Sequence, residues 1–268
     1  MAVAATLRIL PSGGFGTRRA LRMVERNVMI YRKGWPYLVS GFFEPLFYLL
    51  SLGIGLNHLV GSVTVGAQTV TYAAFVAPGL LATSAMNGAT IDATFTVFQR
   101  LKIEHAYDSV LATPLTVQDI ALGELTWCVF RGALYSASFL VCMAALGDAA
   151  SPWVILCLPV AILTSLAFAC AGMAGCTYLR SWQDFDLVSL ALVPMFLFSG
   201  TFFPISLYPT GIQVVVRATP LYQAVALSRG CSLGVFDWAM VGHAAYLVVM
   251  AVTGLLITST RFRRLLTP

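Results

Sequence analysis

The stretch WVILCLPVAILTSLAFACAGMAGCTY, residues Trp153–Tyr178, contains no charged side chain. A helix needs about 20 consecutive apolar residues to cross the hydrocarbon core of a bilayer, which is about 30 Å thick. At about 1.5 Å per residue, this stretch is long enough to do so. It therefore predicts a transmembrane helix.

The composition of the whole chain agrees with this prediction. Of the 268 residues, 59% are apolar and only 10% are charged, whereas a soluble domain carries about 25% charged residues. Intrinsic disorder is excluded because the chain is too apolar, and a small secreted disulfide scaffold is excluded by the length. The six cysteines form no Cys-x-x-Cys pair, so neither a metal site nor a disulfide framework is predicted. The composition thus predicts an all-α polytopic membrane protein.

Five further stretches are apolar over a comparable length. In all, the sequence predicts six transmembrane helices, at Pro36–Leu56, Tyr72–Phe95, Leu122–Leu146, Trp153–Tyr178, Leu187–Phe203 and Ala239–Ser259. The chain then divides into an N-terminal tail with an interfacial helix (residues 1–35), a six-span transmembrane domain (36–260) and a basic C-terminal tail (261–268).

Basic residues lie almost entirely on one side of these helices. With an even number of spans, both termini share that side, which holds thirteen lysines and arginines, whereas the other side holds only Arg217 and Arg229. Because basic residues are retained on the cytoplasmic side, both termini are predicted to be cytoplasmic. The formal net charge of +5 is therefore juxtamembrane charge, and no nucleic-acid partner is predicted.

Three segments outside the predicted spans carry further signals. Thr17–Lys33 places arginines on one helical face and apolar residues on the other, which predicts an interfacial amphipathic helix against anionic lipid; a merely basic tail is the alternative. The cytoplasmic loop Gln99–Asp119 is the densest charged run outside the N-terminus. It is either a surface for a soluble partner or a solvated connector, and its first half is a candidate short helix that ends at Pro114. The external stretch Pro204–Leu233 is apolar but interrupted by prolines, which predicts two short re-entrant or surface-lying helices.

Two charged residues lie deep inside predicted spans. Glu44 and Arg131 are each about 12–13 Å from the cytoplasmic end of their spans, at about 1.5 Å per residue. Intramembrane charges are costly and mark functional sites, so we predict that the two form a pair or share a polar pocket. Such a pair either locks the first and third spans together or lines a substrate path, and the sequence leaves both possibilities open.

The sequence contains no convincing catalytic motif. Its two lysines, Lys33 and Lys102, do not follow glycine, so a phosphate-binding loop is not predicted. A G-x-S-x-G pattern surrounds Ser232, with His243 downstream, but the nucleophile elbow requires an α/β sheet. A buried pair of Ser165 with His243 has no local support. We therefore predict neither catalytic residues nor a bound cofactor or metal, and transport would depend on an ion gradient or a separate ATPase.

Four segments resemble the membrane subunits of type-2 ABC exporters. They are the basic amphipathic N-terminus, VAPGLLATSAMNGA (Val76–Ala89), the run from Phe98 through LATPL (Leu111–Leu115), and PMFLFSGTFFPISLYPTGIQVVVRATPLYQAVALSRG (Pro194–Gly230). The last is the most specific, and together they cover nearly the whole chain. FEPLFYLLSLGIGL (Phe43–Leu56) is most similar to permeases that export lipo-chitooligosaccharides and to antibiotic-resistance exporters.

The resemblance implies an assembly in a bacterial cytoplasmic membrane. Two six-span permease subunits, the same or homologous, would face each other, and two ATPase subunits holding ATP and Mg²⁺ would dock from the cytoplasm. The coupling loop that receives them would include Arg100, Glu104, His105, Asp108, Pro114 and Leu115.

The resemblance also implies an amphiphilic substrate that leaves the inner leaflet between the subunits. Lipid-linked glycans, lipooligosaccharides and hydrophobic drugs belong to this class. Aromatic and flexible side chains that suit an apolar path are Met195, Phe198, Phe202 and Phe203. Ordinary packing against lipid or another helix would use the same side chains, and an intramembrane enzyme or an ion-coupled carrier is the alternative function.

Overall fold

A computed structural model of the chain describes residues 17–33, 43, 46–51, 55, 61–65, 68–148 and 151–266. Within these ranges the protein is mostly helical, with one antiparallel hairpin of β1 (Ser62–Val65) and β2 (Gln68–Thr71). The helices with described bounds are α1 (Thr17–Lys33), α2 (Tyr72–Ile91), α3 (Ala106–Leu111), α4 (Val117–Ala145), α5 (Cys157–Cys176), α6 (Asp184–Leu197), α7 (Thr210–Ala218), α8 (Pro220–Leu233) and α9 (Ala239–Leu266).

Four helical segments in the described part of the chain are long and apolar enough to cross a membrane. They are Tyr72–Ile103, Val117–Ala145, Pro152–Cys176 and Ala239–Leu266. They match the second, third, fourth and sixth predicted spans, so the prediction of a helical polytopic membrane protein is confirmed. The predicted first span lies mainly outside the described residues. Within it, residues 46–51 are described and helical. The count of six spans stays a prediction.

The predicted fifth span is longer than the helix that the structure contains. The sequence predicted Leu187–Phe203, whereas α6 ends at Leu197 and is about 21 Å long at 1.5 Å per residue. The Ser199 hydroxyl donates to the Phe196 carbonyl at 2.8 Å, and Gly200 has a left-handed φ of 74°. The prediction was wrong at this end because hydropathy does not distinguish an apolar turn from an apolar helix.

The second span extends further than predicted. After α2 the helix continues to Ile103 through two π-turns, Asp92–Thr96 and Gln99–Ile103. The amide of Glu104 donates to the carbonyl of Gln99 at 2.9 Å, which is the five-residue spacing of a π-turn. The predicted boundary at Phe95 was therefore too early, because charged residues that seemed to mark a loop belong to the helix.

α2 lies at the centre of the bundle. Nearly all its residues are buried, and it packs against α4, α5 and α8. Glycines allow these close approaches: a Cβ on Gly132 would lie 2.9 Å from the carbonyl oxygen of Ala85, and one on Gly254 would lie 2.7 Å from the backbone of Cys170. Small residues thus hold α2, α4, α5 and α9 together at backbone distance.

The two ends of the bundle differ in character. One end, which we call the charged end, contains residues 92–131, that is, the π-turns after α2, α3 and the first half of α4, together with α1. The other, which we call the half-helix end, contains a 3₁₀ turn at Ile205–Leu207 followed by α7 and α8. These two helices occupy the segment for which two short helices were predicted. Pro220 is in the first turn of α8, and the preceding Thr219 caps the helix by accepting from the amide of Tyr222 at 3.4 Å.

Candidate functional site at the charged end of the bundle

Opposite charges meet where α1, α2 and α4 converge. Asp92 and Arg100 are eight residues apart on the second span, and Glu124 and Arg131 are seven apart on α4. Seven residues return close to the same face of α4, because two α-helical turns contain about 7.2 residues. The π-turns after Asp92 lengthen the repeat on the second span, so eight residues do the same there. The two helices run antiparallel, so Arg100 pairs with Glu124 and Arg131 pairs with Asp92.

The Arg100–Glu124 pair is almost completely buried. Nη1 of Arg100 donates to the Glu124 carboxylate oxygens at 2.7 and 2.8 Å, and the two side chains are 6% and 2% exposed. Asn27 of α1 touches both partners, because its amide donates to Glu124 at 3.1 Å and its oxygen accepts from Arg100 at 2.8 Å. The Tyr107 hydroxyl of α3 donates to the same carboxylate at 3.2 Å. Burial, and then the nearby Glu124, raise the pKa of Tyr107 well above its ordinary value, so the hydroxyl keeps its proton.

The Asp92–Arg131 pair is built in the same way. Nη1 of Arg131 donates to Asp92 and, at 3.2 Å, to the hydroxyl of Tyr31 on α1, which itself donates to Asp92 at 3.0 Å. Nε of Arg131 donates to the Tyr135 hydroxyl at 2.9 Å. Burial, and then the Asp92 charge, raise the pKa of Tyr31 to about 12, so that it is a neutral donor at physiological pH.

These contacts form two neighbouring hydrogen-bonded clusters, which together we call the buried polar network. One cluster consists of Asn27, Arg100, Tyr107 and Glu124, and the other of Tyr31, Asp92, Arg131 and Tyr135. Asn27 and Tyr31 are four residues apart, so one face of α1 supplies a polar group to each ion pair. Breaking a buried ion pair costs about 3–5 kcal/mol because the remaining charge is unpaired. The network therefore fixes the relative positions of α1, α2, α3 and α4.

The predicted coupling loop forms a short helix with two different faces. His105 has a left-handed φ of 49° and separates α3 from the end of the second span. Glu104, His105 and Asp108 are exposed, while Tyr107 is 1% exposed. Thr116 and Asp119 then form a capping box that starts α4. Pro114 is exposed and Leu115 half-buried, in the connection between α3 and α4.

Arg100 requires a correction. The sequence placed it on the docking loop, but the structure buries it against Glu124 inside the buried polar network. The physical reason is that the helix continues through the π-turns and carries Arg100 into the protein. Arg100 is therefore a structural partner of the loop and is not accessible to a docking protein.

The predicted partner of Arg131 was Glu44, and the structure gives Arg131 the carboxylate of Asp92. Glu44 lies outside the described residues, so its pairing stays a prediction. Neither Asp92 nor Glu124 was predicted from the sequence to be an ion-pair partner, although both are acidic residues on spans. The spacing of eight and seven residues between opposite charges on two adjacent spans was the signal that could have found them.

The predicted path residues lie around the end of α6. Phe198 and Phe203 are 44% and 51% exposed, and Met195 and Phe202 are half-buried. The Phe202 ring contacts the Phe196 ring with centroids 5.1 Å apart. The structure thus brings these residues to the half-helix end, far along the chain from the buried polar network, and their contact with a substrate stays a prediction.

The described residues do not assemble a hydrolase. Ser232 lies inside α8 rather than in a strand-turn-helix elbow. His243 Nδ1 contacts Gln223, and Ser165 donates to the carbonyl of Ala85 at 3.3 Å, so neither serine is hydrogen-bonded to the imidazole. The part of the chain that the structure describes also contains no cluster of three or more His, Cys, Asp or Glu side chains that could hold a metal ion.

The apolar spanning helices, with a charged loop at one end and short helices at the other, are those of a multi-pass membrane protein. Residues 19–233 match the ABC-2 type transporter family, and the chain belongs to that family. It is a multi-pass membrane protein and a transmembrane subunit of an ABC exporter.

Individual proteins of this family are similar to the chain over most of its length. The chain is 33% identical to Nodulation protein J of Rhizobium meliloti over 264 residues, which are 97% of each chain. It is 33% identical to Nodulation protein J of Rhizobium leguminosarum bv. trifolii over 93% of this chain and 94% of the relative. It is 25% identical to the inner membrane transport permease YadH of Escherichia coli over 84% of this chain and 88% of the relative.

Proposed function

We propose that an ATPase docks on the loop around α3 and drives this permease to move an amphiphilic substrate out of the cytoplasmic leaflet. One observation carries the proposal. The outer face of α3 is exposed and charged, and its inner face reaches, through the Tyr107 hydroxyl, the carboxylate on which α1, α2 and α4 also converge. A displacement of α3 would therefore be transmitted to the spans through a single buried group.

The exposed side chains of the loop supply a docking surface. Glu104 and Asp108 present carboxylates to solvent, and the exposed His105 ring contacts Asp108 at 3.4 Å with both side chains more than half exposed. Exposed charges of this kind contribute little to folding, so they are available to complementary charges on an ATPase. ATP and Mg²⁺ would bind to that separate chain.

The exposed face of α6 supports a second permease subunit. α6 has no buried residue, and Leu187, Leu190 and Val193 are 63%, 69% and 56% exposed. The assembly that we propose contains two ATPases and two permeases, and all permease termini are cytoplasmic. In it, α6 lies beside lipid or beside the second permease. The substrate would pass near Met195, Phe198, Phe202 and Phe203, whose apolar surfaces suit an acyl chain or a hydrophobic drug.

A conservative variant tests the transmission step. Tyr107→Phe removes the hydroxyl that binds Glu124 but keeps the ring near Phe262, with centroids 6.4 Å apart. The matched control is Tyr246→Phe, which removes a hydroxyl that donates to the Ala218 carbonyl at 2.7 Å at the half-helix end. The permease is purified from native membranes with its co-purifying ATPase, and both vanadate-sensitive ATP hydrolysis and transport in proteoliposomes are measured.

We expect Tyr107→Phe to keep ATP hydrolysis but to lower transport per ATP by about fivefold to tenfold, as expected for a lost hydrogen bond to a charged group. Tyr246→Phe should change neither. Charge reversal by Glu104→Lys or Asp108→Lys should also uncouple the two activities, so that ATP hydrolysis continues while transport per ATP falls. Unchanged transport per ATP in all three loop variants would remove the docking assignment. Transport that persists without ATP and collapses with the proton gradient would establish an ion-coupled carrier instead.

A further inference from the structure

A cavity of about 370 Å³ opens at the half-helix end, far from the buried polar network. Its volume lies in the range of small-molecule sites, about 300–1,000 Å³. α8, the start of α9 and the turn after α6 form its walls, and side chains that reach it include Tyr222, Ala226, Arg229, Asp237, Met240 and His243. Neither the coupling loop nor the predicted path residues account for it.

Arg229 is held rigidly at this cavity. Its guanidinium lies 3.9 Å from the centroid of the Phe75 ring. Nε donates to the Phe75 carbonyl at 3.3 Å, and Nη2 donates to the Gly200 carbonyl at 2.8 Å. Burial lowers the pKa of Arg229 to about 10, so the side chain remains a cation at neutral pH. Nη1 has no hydrogen-bond partner among the described residues, which leaves its donors for a ligand.

The other polar groups at the cavity include acceptors. Asp237 Oδ1 accepts from the amide of Trp238 at 2.6 Å, and its second oxygen has no partner within the described ranges. Gln223 donates its amide to the Arg217 carbonyl, so its oxygen faces His243 Nδ1. His243 therefore donates through Nδ1, and its neutral ring presents Nε2 as an acceptor.

The charges and the apolar surface select the chemistry of the ligand. Of the described lining residues, only Arg229 and Asp237 carry a formal charge at neutral pH, so an anion that gains from the arginine is opposed by the carboxylate. A hydroxyl group both donates and accepts, and so can satisfy both kinds of group. The Tyr222 ring, which meets the His243 ring edge-on with centroids 6.1 Å apart, adds a flat apolar surface.

We propose that this cavity is a binding site for an uncharged sugar unit of the exported molecule, with Arg229 as donor, Asp237 and His243 as acceptors, and Tyr222 as apolar platform. The inference rests on the proposed function, because it assigns the polar part of the amphiphile to the end of the bundle opposite the docking loop. The site holds the sugar at the half-helix end while the apolar part stays in the membrane.

The experiment measures binding to the permease in nanodiscs by saturation-transfer NMR. The probes are chitotetraose and maltotetraose as uncharged sugars and inorganic phosphate as the anion. Ala226→Phe fills the cavity, and Asp237→Asn removes the carboxylate of an exposed residue, so the second variant is expected to fold even if the first does not. The control is Val249→Phe, at a position on α9 that is 61% exposed and outside the cavity lining.

We expect at least one sugar to bind the wild type, with the dissociation constant raised at least about tenfold by Ala226→Phe and about fivefold by Asp237→Asn. Val249→Phe should bind normally. Binding of neither sugar, binding of phosphate alone, or sugar binding that is unchanged in both cavity variants would overturn the proposal.

ATP-driven transport by the reconstituted complex is measured in parallel. Transport without sugar binding would remove this site and leave the proposed function intact. Sugar binding without ATP-driven transport would remove the proposed function and leave the site.

Discussion

Neutralising Glu124 should reveal how much of the structure depends on the buried polar network. Glu124→Gln keeps the size of the side chain but removes its charge and replaces one acceptor oxygen by an NH2 donor. Arg100 then remains as a buried cation, with its side chain 6% exposed and its carboxylate partner gone. The amide oxygen can still accept from Tyr107, but the NH2 group replaces an oxygen that accepts from Asn27 and Arg100, so lost hydrogen bonds add to the lost charge.

The magnitude follows from burial. Removing one partner of a buried ion pair costs about 3–5 kcal/mol, since the other charge has lost its solvation and its partner. An exposed pair is worth about 0–1 kcal/mol. The matched control is Glu25→Gln on α1, because Glu25 pairs with Arg22 at 3.1 Å with side chains 54% and 76% exposed. The double variant Arg100→Gln/Glu124→Gln should lose less than Glu124→Gln alone, because no unpaired charge remains.

The assay is reversible unfolding of the purified permease in mixed micelles by SDS, with the free energy of unfolding compared among the four variants and the wild type. We expect Glu124→Gln and Arg100→Gln each to lose about 3–5 kcal/mol and Glu25→Gln less than about 1 kcal/mol. The single losses should be strongly non-additive. Losses that add within about 0.5 kcal/mol, or a Glu124→Gln loss as small as that of Glu25→Gln, would refute the reasoning.

Two further substitutions test the packing and the start of α4. Gly254→Ala places a methyl group 2.7 Å from the backbone of Cys170 and should lower the free energy of unfolding by about 1–3 kcal/mol. The control is Gly242→Ala on the same helix, where a Cβ meets nothing within 4 Å and should be tolerated. Equal effects of the two substitutions would contradict the close contact. Thr116→Ala removes the N-cap of α4 and should lower the free energy of unfolding by about 1 kcal/mol. Thr126→Ala, in the middle of that helix, should lower it by less. Unfolding in SDS measures both losses, and the reverse order would argue against the cap.

Much of the architecture was predictable because it depends on local composition. A run of apolar residues such as Trp153–Tyr178 must satisfy its own backbone hydrogen bonds in lipid. A single segment can do so only as a helix. The turn residues near Gly200 were missed because their surroundings are equally apolar. The extension of the second span to Ile103 was missed because Arg100, which seemed to mark a loop, pairs with Glu124 inside the protein.

The candidate site was only partly predictable. Glu104 and Asp108 are charged, close in sequence and exposed, so the sequence could mark this loop as a candidate docking surface. Arg131 was recognised as an intramembrane charge, but its contact with Asp92 depends on how two neighbouring helices align. Tyr107 and Asn27 carried no signal, because a tyrosine or an asparagine in an amphipathic segment is ordinary until its neighbours are known.

The sequence by itself determined the class of this protein: hydropathy placed four of its spanning helices, and the prolines placed the interruptions before the last one. These properties are set by each segment's own transfer into lipid and by its own backbone chemistry. Only the tertiary structure decided that Arg100 pairs with Glu124 and that α3 is joined to them through Tyr107. Such pairings depend on the register between antiparallel helices, which arises when glycine contacts bring the helices together and exclude water from the charges between them.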